Sequence, residues 1–211
     1  MPRSAAADAG TRDRLLQTGL GLMQSSGIKA VTVRATAAAS GVNLGSFVYH
    51  FGTREAFVGE LLERWYAPLF AQLQRLADVD GDSPLARLRG VLLRLVLWVA
   101  EHRGFLGHLL LDAGSGDGAA LRFVRSMDQR HPALLLQLIG QAQQAGQLQR
   151  GDAMHQMLFL LASAAAPLLM LQLLAERGIA PPPLAAALTA VAADPAQIET
   201  RLGWALRGLA V

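Results

Sequence analysis

Residues 32–55 read TVRATAAASGVNLGSFVYHFGTRE. Within a chain rich in Leu and Ala, this stretch packs two short helical segments around a tight turn. Thr32 is a good N-cap for a helix over about 33–39, and Ser-Gly-Val-Asn at 40–43 makes the turn. A second helix follows over about 44–50. Ala37 is small, so one helix can cross close over the other. Gly41, four residues on, supplies the left-handed backbone of a sharp reversal. Val42, Phe47 and Phe51 form the apolar underside, to be closed by Leu16 and Leu20 of a preceding helix over about 12–25. This is the pattern of a helix-turn-helix.

The residues left outside that small core define a candidate DNA-reading surface. Asn43, Leu44, Gly45, Ser46, Val48, Tyr49 and His50 are expected on the exposed sides and start of the second helix. Asn and Ser can hydrogen-bond base edges or phosphates, and Leu44 or Val48 can touch a thymine methyl. Tyr49 and His50 suit phosphate oxygens. Helix N-termini at Thr32 and Thr53 offer free N–H groups to phosphates, and Arg34 and Arg54 add positive charge. The alternative is an ordinary helical hairpin with a solvated polar face.

Working outward, the rest of the chain also reads as helical, with no alternating β-branched runs. Thr53 is placed to cap a long helix over about 54–76. Further helices are expected over 85–103, at 105–113, over 119–145 with a break or kink at Pro132, over 153–177, and over 195–209 with Asp194 as cap. The expected fold class is all-α with about nine helices. Residues 1–53 would form the helix-turn-helix DNA-binding domain, and residues 54–211 an effector-binding and dimerisation domain.

Composition narrows the function classes. Of 211 residues, 52% are hydrophobic and 17% charged, which asks for a buried subunit interface or a membrane. Residues 1–54 hold six basic and two acidic side chains, a surplus that suits a polyanion partner at one end. The chain has no cysteine, which excludes disulfides, thiolate catalysis and Cys-based zinc sites. Its five histidines show no metal-ligand spacing, and no Ser/His/Asp set or paired carboxylate supports catalysis. No cofactor and no metal is expected, and the chain is not expected to be an enzyme. The N-terminus lacks the apolar core of a signal peptide, which points to a cytoplasmic protein.

Residues 14–62, RLLQTGLGLMQSSGIKAVTVRATAAASGVNLGSFVYHFGTREAFVGELL, resemble the N-terminal domain of the TetR family of bacterial transcriptional repressors. The first helix ending in Gly-Ile, then AVTV, AAASGV, GSFVYHF and TREAF, follow in order without gaps. Leu44 departs from the basic or polar residue common at its place, and Val48 from an aromatic one, so base preference does not transfer. The resemblance implies a homodimer built on the last two long helices, here about 155–177 and 195–209, a double-stranded operator, and a small-molecule effector among the central helices. Candidate pocket residues are Trp98, Phe105, Phe123, Met127, Met157 and Phe159, with His102 and His108 as polar orienters. Few charges interrupt these helices, so a mostly hydrophobic effector is expected. Two rivals stand beside this reading: a DNA-binding dimer without an effector, and a membrane-associated protein anchored by the uncharged residues 157–175.

Overall fold

The computed structural model describes residues 5–176, 178–179 and 181–211. Among these the chain forms eleven α-helices, one 3-10 turn at Ile28–Ala30 and no strand. The helices are α1 (Ala5–Ser26), α2 (Val33–Ser40), α3 (Leu44–Phe51), α4 (Arg54–Ala77), α5 (Pro84–Gly114), α6 (Gly118–Arg125), α7 (His131–Gln144), α8 (Ala153–Ala164), α9 (Ala166–Glu176), α10 (Pro182–Ala193) and α11 (Pro195–Leu209). The all-α expectation holds, with more helices than expected.

Three differences have local causes. The expected helix over 153–177 is two helices, because Pro167 lacks an N–H and sits in the first turn of α9, where the chain restarts after Ala165. Arg177 lies outside the described residues. The segments 85–103 and 105–113 are one helix, α5, bent where His102 leaves helical geometry at φ −112° and ψ 15°. Finally, α10 follows Pro181 where a stiff linker was expected, and its sequence PPLAAALTAVAA has no polar face to announce a helix.

Pro132 divides 119–145 into α6 and α7, taking up a place in the first turn of α7, where a missing N–H costs nothing. Asp194 caps α11 by accepting a hydrogen bond from the Gln197 N–H. With α8 of 12 residues and α9 of 11, no described helix is long and apolar enough to cross a membrane, which removes the basis for an anchor at 157–175.

The chain divides into two compact units. One comprises residues 1–67 and 108–126, the other residues 68–107 and 127–211. In the first, α1 packs on α2 and α3, and Leu15, Leu16, Met23, Phe47, Phe57 and Leu61 are fully buried. In the second, α8 lies between α7 and α11, and α10 packs against α9 and α11. Its core includes Leu92, Leu138, Leu160, Ile198 and Leu202.

Candidate nucleic-acid interface

The first unit builds a rigid frame under α3. Thr32 Oγ1 accepts from the Ala35 N–H at 3.1 Å, fixing the start of α2. Gly41 ends α2 at φ +66°, and its N–H and that of Val42 return to the Ala38 and Ala37 carbonyls. Asn43 Oδ1 then accepts from the Ser46 N–H at 2.8 Å and starts α3. Each such cap stabilises its helix by about 1 kcal/mol. Below, the rings of Phe47 and Phe51 lie 4.9 and 4.6 Å from Phe57 of α4, edge-on, which fixes the rotation of α3 about its axis.

That rotation decides which candidates face outward. With Phe47 and Phe51 pointing down, a step of 100° per residue turns Gly45, Val48 and Tyr49 away from them, while Leu44 lies toward the Phe side but opens to solvent as the first residue of α3. All four are exposed, Tyr49 by 74%. Ser46 and His50 share the flank opposite Val48, the side that is covered. Ser46 is buried, and the expectation that it faces outward is corrected. The His50 side chain is only 7% exposed, with Nε2 3.4 Å from Asp8 Oδ1, so its outward placement is corrected as well.

The caps change the chemistry that several candidates can offer. Asn43 has its oxygen committed to the helix start, which leaves its amide N–H groups as donors for a base or phosphate acceptor. Thr53 Oγ1 accepts from the Ala56 N–H at 3.1 Å and so starts α4, as Thr32 starts α2. Both hydroxyls keep a proton to donate to a phosphate oxygen.

Arg54 is placed differently from the expectation of a phosphate contact. Its Nε donates to the Val31 carbonyl at 2.7 Å, one terminal nitrogen to the Ile28 carbonyl at 2.8 Å, and the other to Asp117 Oδ2 at 3.1 Å. The guanidinium is a brace that ties the 3-10 turn and the start of α4 to the loop before α6. Burial disfavours the ionised Asp117, but the Ala120 amide, Arg54 and the Ala119 amide outweigh it and hold the carboxyl below its ordinary value. Lys29 is engaged too, with Nζ 2.8 Å from Ser115 Oγ and 3.4 Å from Asp112. Arg12 pairs with Glu60 at 2.6 Å and lies over the Phe51 ring. Much of the basic surplus in residues 1–54 therefore neutralises carboxylates inside the unit, while Arg34 stands exposed on α2.

Sequence reasoning missed Gly19 of α1. A Cβ there would lie 2.5 Å from Phe57 Cζ and 2.8 Å from Leu61 Cδ1, so α1 and α4 touch closely at this point. The signal was a lone glycine inside a strong helical pattern.

The effector candidates fall in both units. Trp98, Phe105 and Met157 are buried in the second, where the Trp98 ring lies 4.6 Å from that of His102 and the His102 Nδ1 is 2.9 Å from the Trp98 carbonyl oxygen. Met127 is half-buried there, and Phe159 is exposed on α8, which takes it off an interior pocket wall. In the first unit Phe123 is buried edge-on to Tyr66, and His108 is exposed.

Comparison with known proteins places this geometry. Residues 15–61 match the family described as bacterial regulatory proteins, tetR family. The chain is 36% identical over 90 residues to the HTH-type transcriptional repressor KstR2 of Mycolicibacterium smegmatis, an alignment covering 43% of each chain. It thus spans less than half the length of that relative. Among solved structures, a putative transcriptional regulator from Saccharomonospora viridis in complex with choline matches with a TM-score of 0.70 at 16% identity, covering 96% of this chain and 99% of the other. The ketosteroid transcriptional regulator KstR2 of Mycobacterium tuberculosis matches with a TM-score of 0.58 at 19% identity, covering 95% of each.

Proposed function

We propose, from the premise that the N-terminal domain belongs to the TetR family of bacterial regulators, that the chain is a sequence-specific DNA-binding transcriptional regulator, a repressor released from a palindromic operator by a small hydrophobic effector. The observation that carries this reading is the exposed arc Leu44, Gly45, Val48 and Tyr49 on a helix locked from below by Phe47, Phe51 and Phe57. A merely solvated helix gains nothing by exposing a leucine, a valine and a tyrosine together. In a major groove the two aliphatic side chains would meet thymine methyls, and Asn43 would donate to a base or phosphate acceptor. Thr32, Thr53, Tyr49 and Arg34 would hold the backbone.

One such helix makes too few base contacts for useful specificity. The reading therefore includes a homodimer through α8, α9 and α11, whose two recognition helices enter successive major grooves about 34 Å apart. Residues 1–53 are the DNA-binding domain in this reading, and residues 54–211 bind the effector and the second subunit. The effector lies against Trp98, His102, Phe105 and Met157, with Met127 as a further apolar candidate. The relatives named for ketosteroid regulation support a hydrophobic ligand. Effector binding shifts the population toward a conformation that fits the operator poorly. The protein works in the cytoplasm and performs no catalysis.

The test is fluorescence anisotropy of the purified chain on promoter DNA taken from beside its own gene, titrated with salt and then with a panel of hydrophobic small molecules. Tight binding that weakens steeply with salt and is reversed by one class of ligand is the expected result. Equal binding to any duplex, unmoved by every ligand, would refute it.

A further inference from the structure

The second unit carries a helix with almost no interior. In α10 (Pro182–Ala193) twelve residues hold no charge, Ala192 is buried, and Leu184, Leu188 and Val191 are exposed by 51, 38 and 58%. Spaced four and three apart, those three form one stripe along the helix. Ala186, Ala187 and Ala190 beside them are exposed too, and small enough for another backbone to approach. In water this face would be a liability for a lone chain.

The helix is nonetheless held firmly. Arg201 of α11 donates from both terminal nitrogens, at 2.7 Å each, to the carbonyls of Val191 and Ala192. It thus satisfies carbonyls that the end of α10 leaves without intrahelical partners. One turn further on, Trp204 is 62% exposed. The apolar stripe is in this way tied to α11 and packed on α9, two of the helices assigned above to the dimer.

We propose that α10 is a third interface helix, its Leu184–Leu188–Val191 stripe lying against a second copy of this chain. The inference rests on the homodimer reading and adds an element to it. Size supports this occupant. Met154, Leu158, Phe159, Met170 and Trp204 are exposed on α8, α9 and α11, and with ordinary side-chain areas they offer on the order of 500 Å². The α10 stripe adds roughly 250 Å², which brings the apolar surface near the ~800 Å² that each partner contributes to a standard stable interface. An uncharged helix without a polar rim also suits a permanent, self-complementary contact better than a transient one.

The test is sedimentation equilibrium of the full chain, with two sets of charged variants. Leu188→Glu combined with Val191→Glu should raise the dimer Kd at least tenfold while helix content and melting of the dilute chain stay unchanged. Leu158→Glu combined with Trp204→Glu tests the rest of the face. If this second pair yields monomers while the α10 pair dimerises as the native chain does, the proposal is overturned and the homodimer stands. A native chain that is monomeric at tens of micromolar overturns both. Because the chain has no cysteine, Leu188→Cys can carry a single environment-sensitive dye. Its emission should move to the red on dilution through the Kd, and constant emission would count against the proposal. A blue shift seen only with neutral phospholipid vesicles would assign the face to lipid and overturn it.

Discussion

Arg54 separates two accounts of the first unit, and replacing it decides between them. As a phosphate contact, Arg54→Ala would cost DNA affinity and lower the salt slope by about one, without touching stability. As the brace found here, it loses two hydrogen bonds to the Val31 and Ile28 carbonyls and one to Asp117. Three charge-assisted bonds at a site 27% open to solvent contribute roughly 1 kcal/mol each after discounting for screening, or about 3 kcal/mol in all. For a chain of this size that is a fall in Tm of about 6–12 °C. Arg54→Lys keeps the charge but cannot span three acceptors, so it recovers less than half of the loss. The pH dependence follows from Asp117. Its folded-state pKa is depressed, so its contribution is present above the ordinary value near 3.8 and disappears as pH falls through the folded value. The gap between native and variant melting curves therefore narrows in strong acid. Differential scanning calorimetry from pH 3 to 7, with anisotropy on operator DNA alongside, reads both quantities. An unchanged Tm with a reduced salt slope would refute the brace.

Other consequences are independent of Arg54. Gly19→Ala puts a methyl against Phe57, which is itself wedged by Phe47 and Phe51, so it lowers stability by about 2 kcal/mol despite the better helix propensity of alanine. Gly21→Ala, on the open side of the same helix, raises stability by up to about 1 kcal/mol, and equal effects at the two sites in urea titrations would contradict the close contact. His131 has its pKa lowered to about 4 by burial and by Arg130. Its native state resists protonation, so stability is lost as pH falls from about 6.5 to about 4, by up to about 3 kcal/mol. His131→Gln should flatten melting temperature across that window, and an unchanged slope would show that another group carries it. Tyr49→Ala, on an exposed side chain, leaves the melt in place and raises the operator Kd about tenfold, so a matching loss of stability would place Tyr49 in the core instead.

The helix-turn-helix was legible because its instructions are local. Thr32, Gly41 and Thr53 act on backbone within three or four residues of themselves, and their caps and the left-handed turn stand where those residue types predict, while the Asn43 cap was read only as part of the turn. The outward arc of α3 was partly legible. Periodicity placed Phe47 and Phe51 inward, but the inward lean of Ser46 and His50 depends on where α1 and α2 lie. Arg54 was misread because its acceptors are 23, 26 and 63 residues away, two of them backbone carbonyls with no side-chain signature. For the same reason nothing in the sequence announced that residues 108–126 belong with residues 1–67. The helix α10 escaped notice because a stretch of Ala, Leu and Val between prolines is apolar on every side and has no polar face to set off its Leu184–Leu188–Val191 spacing.

The central claim is that Leu44, Gly45, Val48 and Tyr49 read DNA as a two-fold pair. Its most direct test is selection of bound duplexes from a random pool by the purified chain. The account predicts a two-fold symmetric motif whose half-sites lie about one helical turn apart, or a multiple of that spacing, and whose base preferences change with Leu44→Ala or Val48→Ala. A pool that yields no motif, or a motif indifferent to both substitutions, would contradict it.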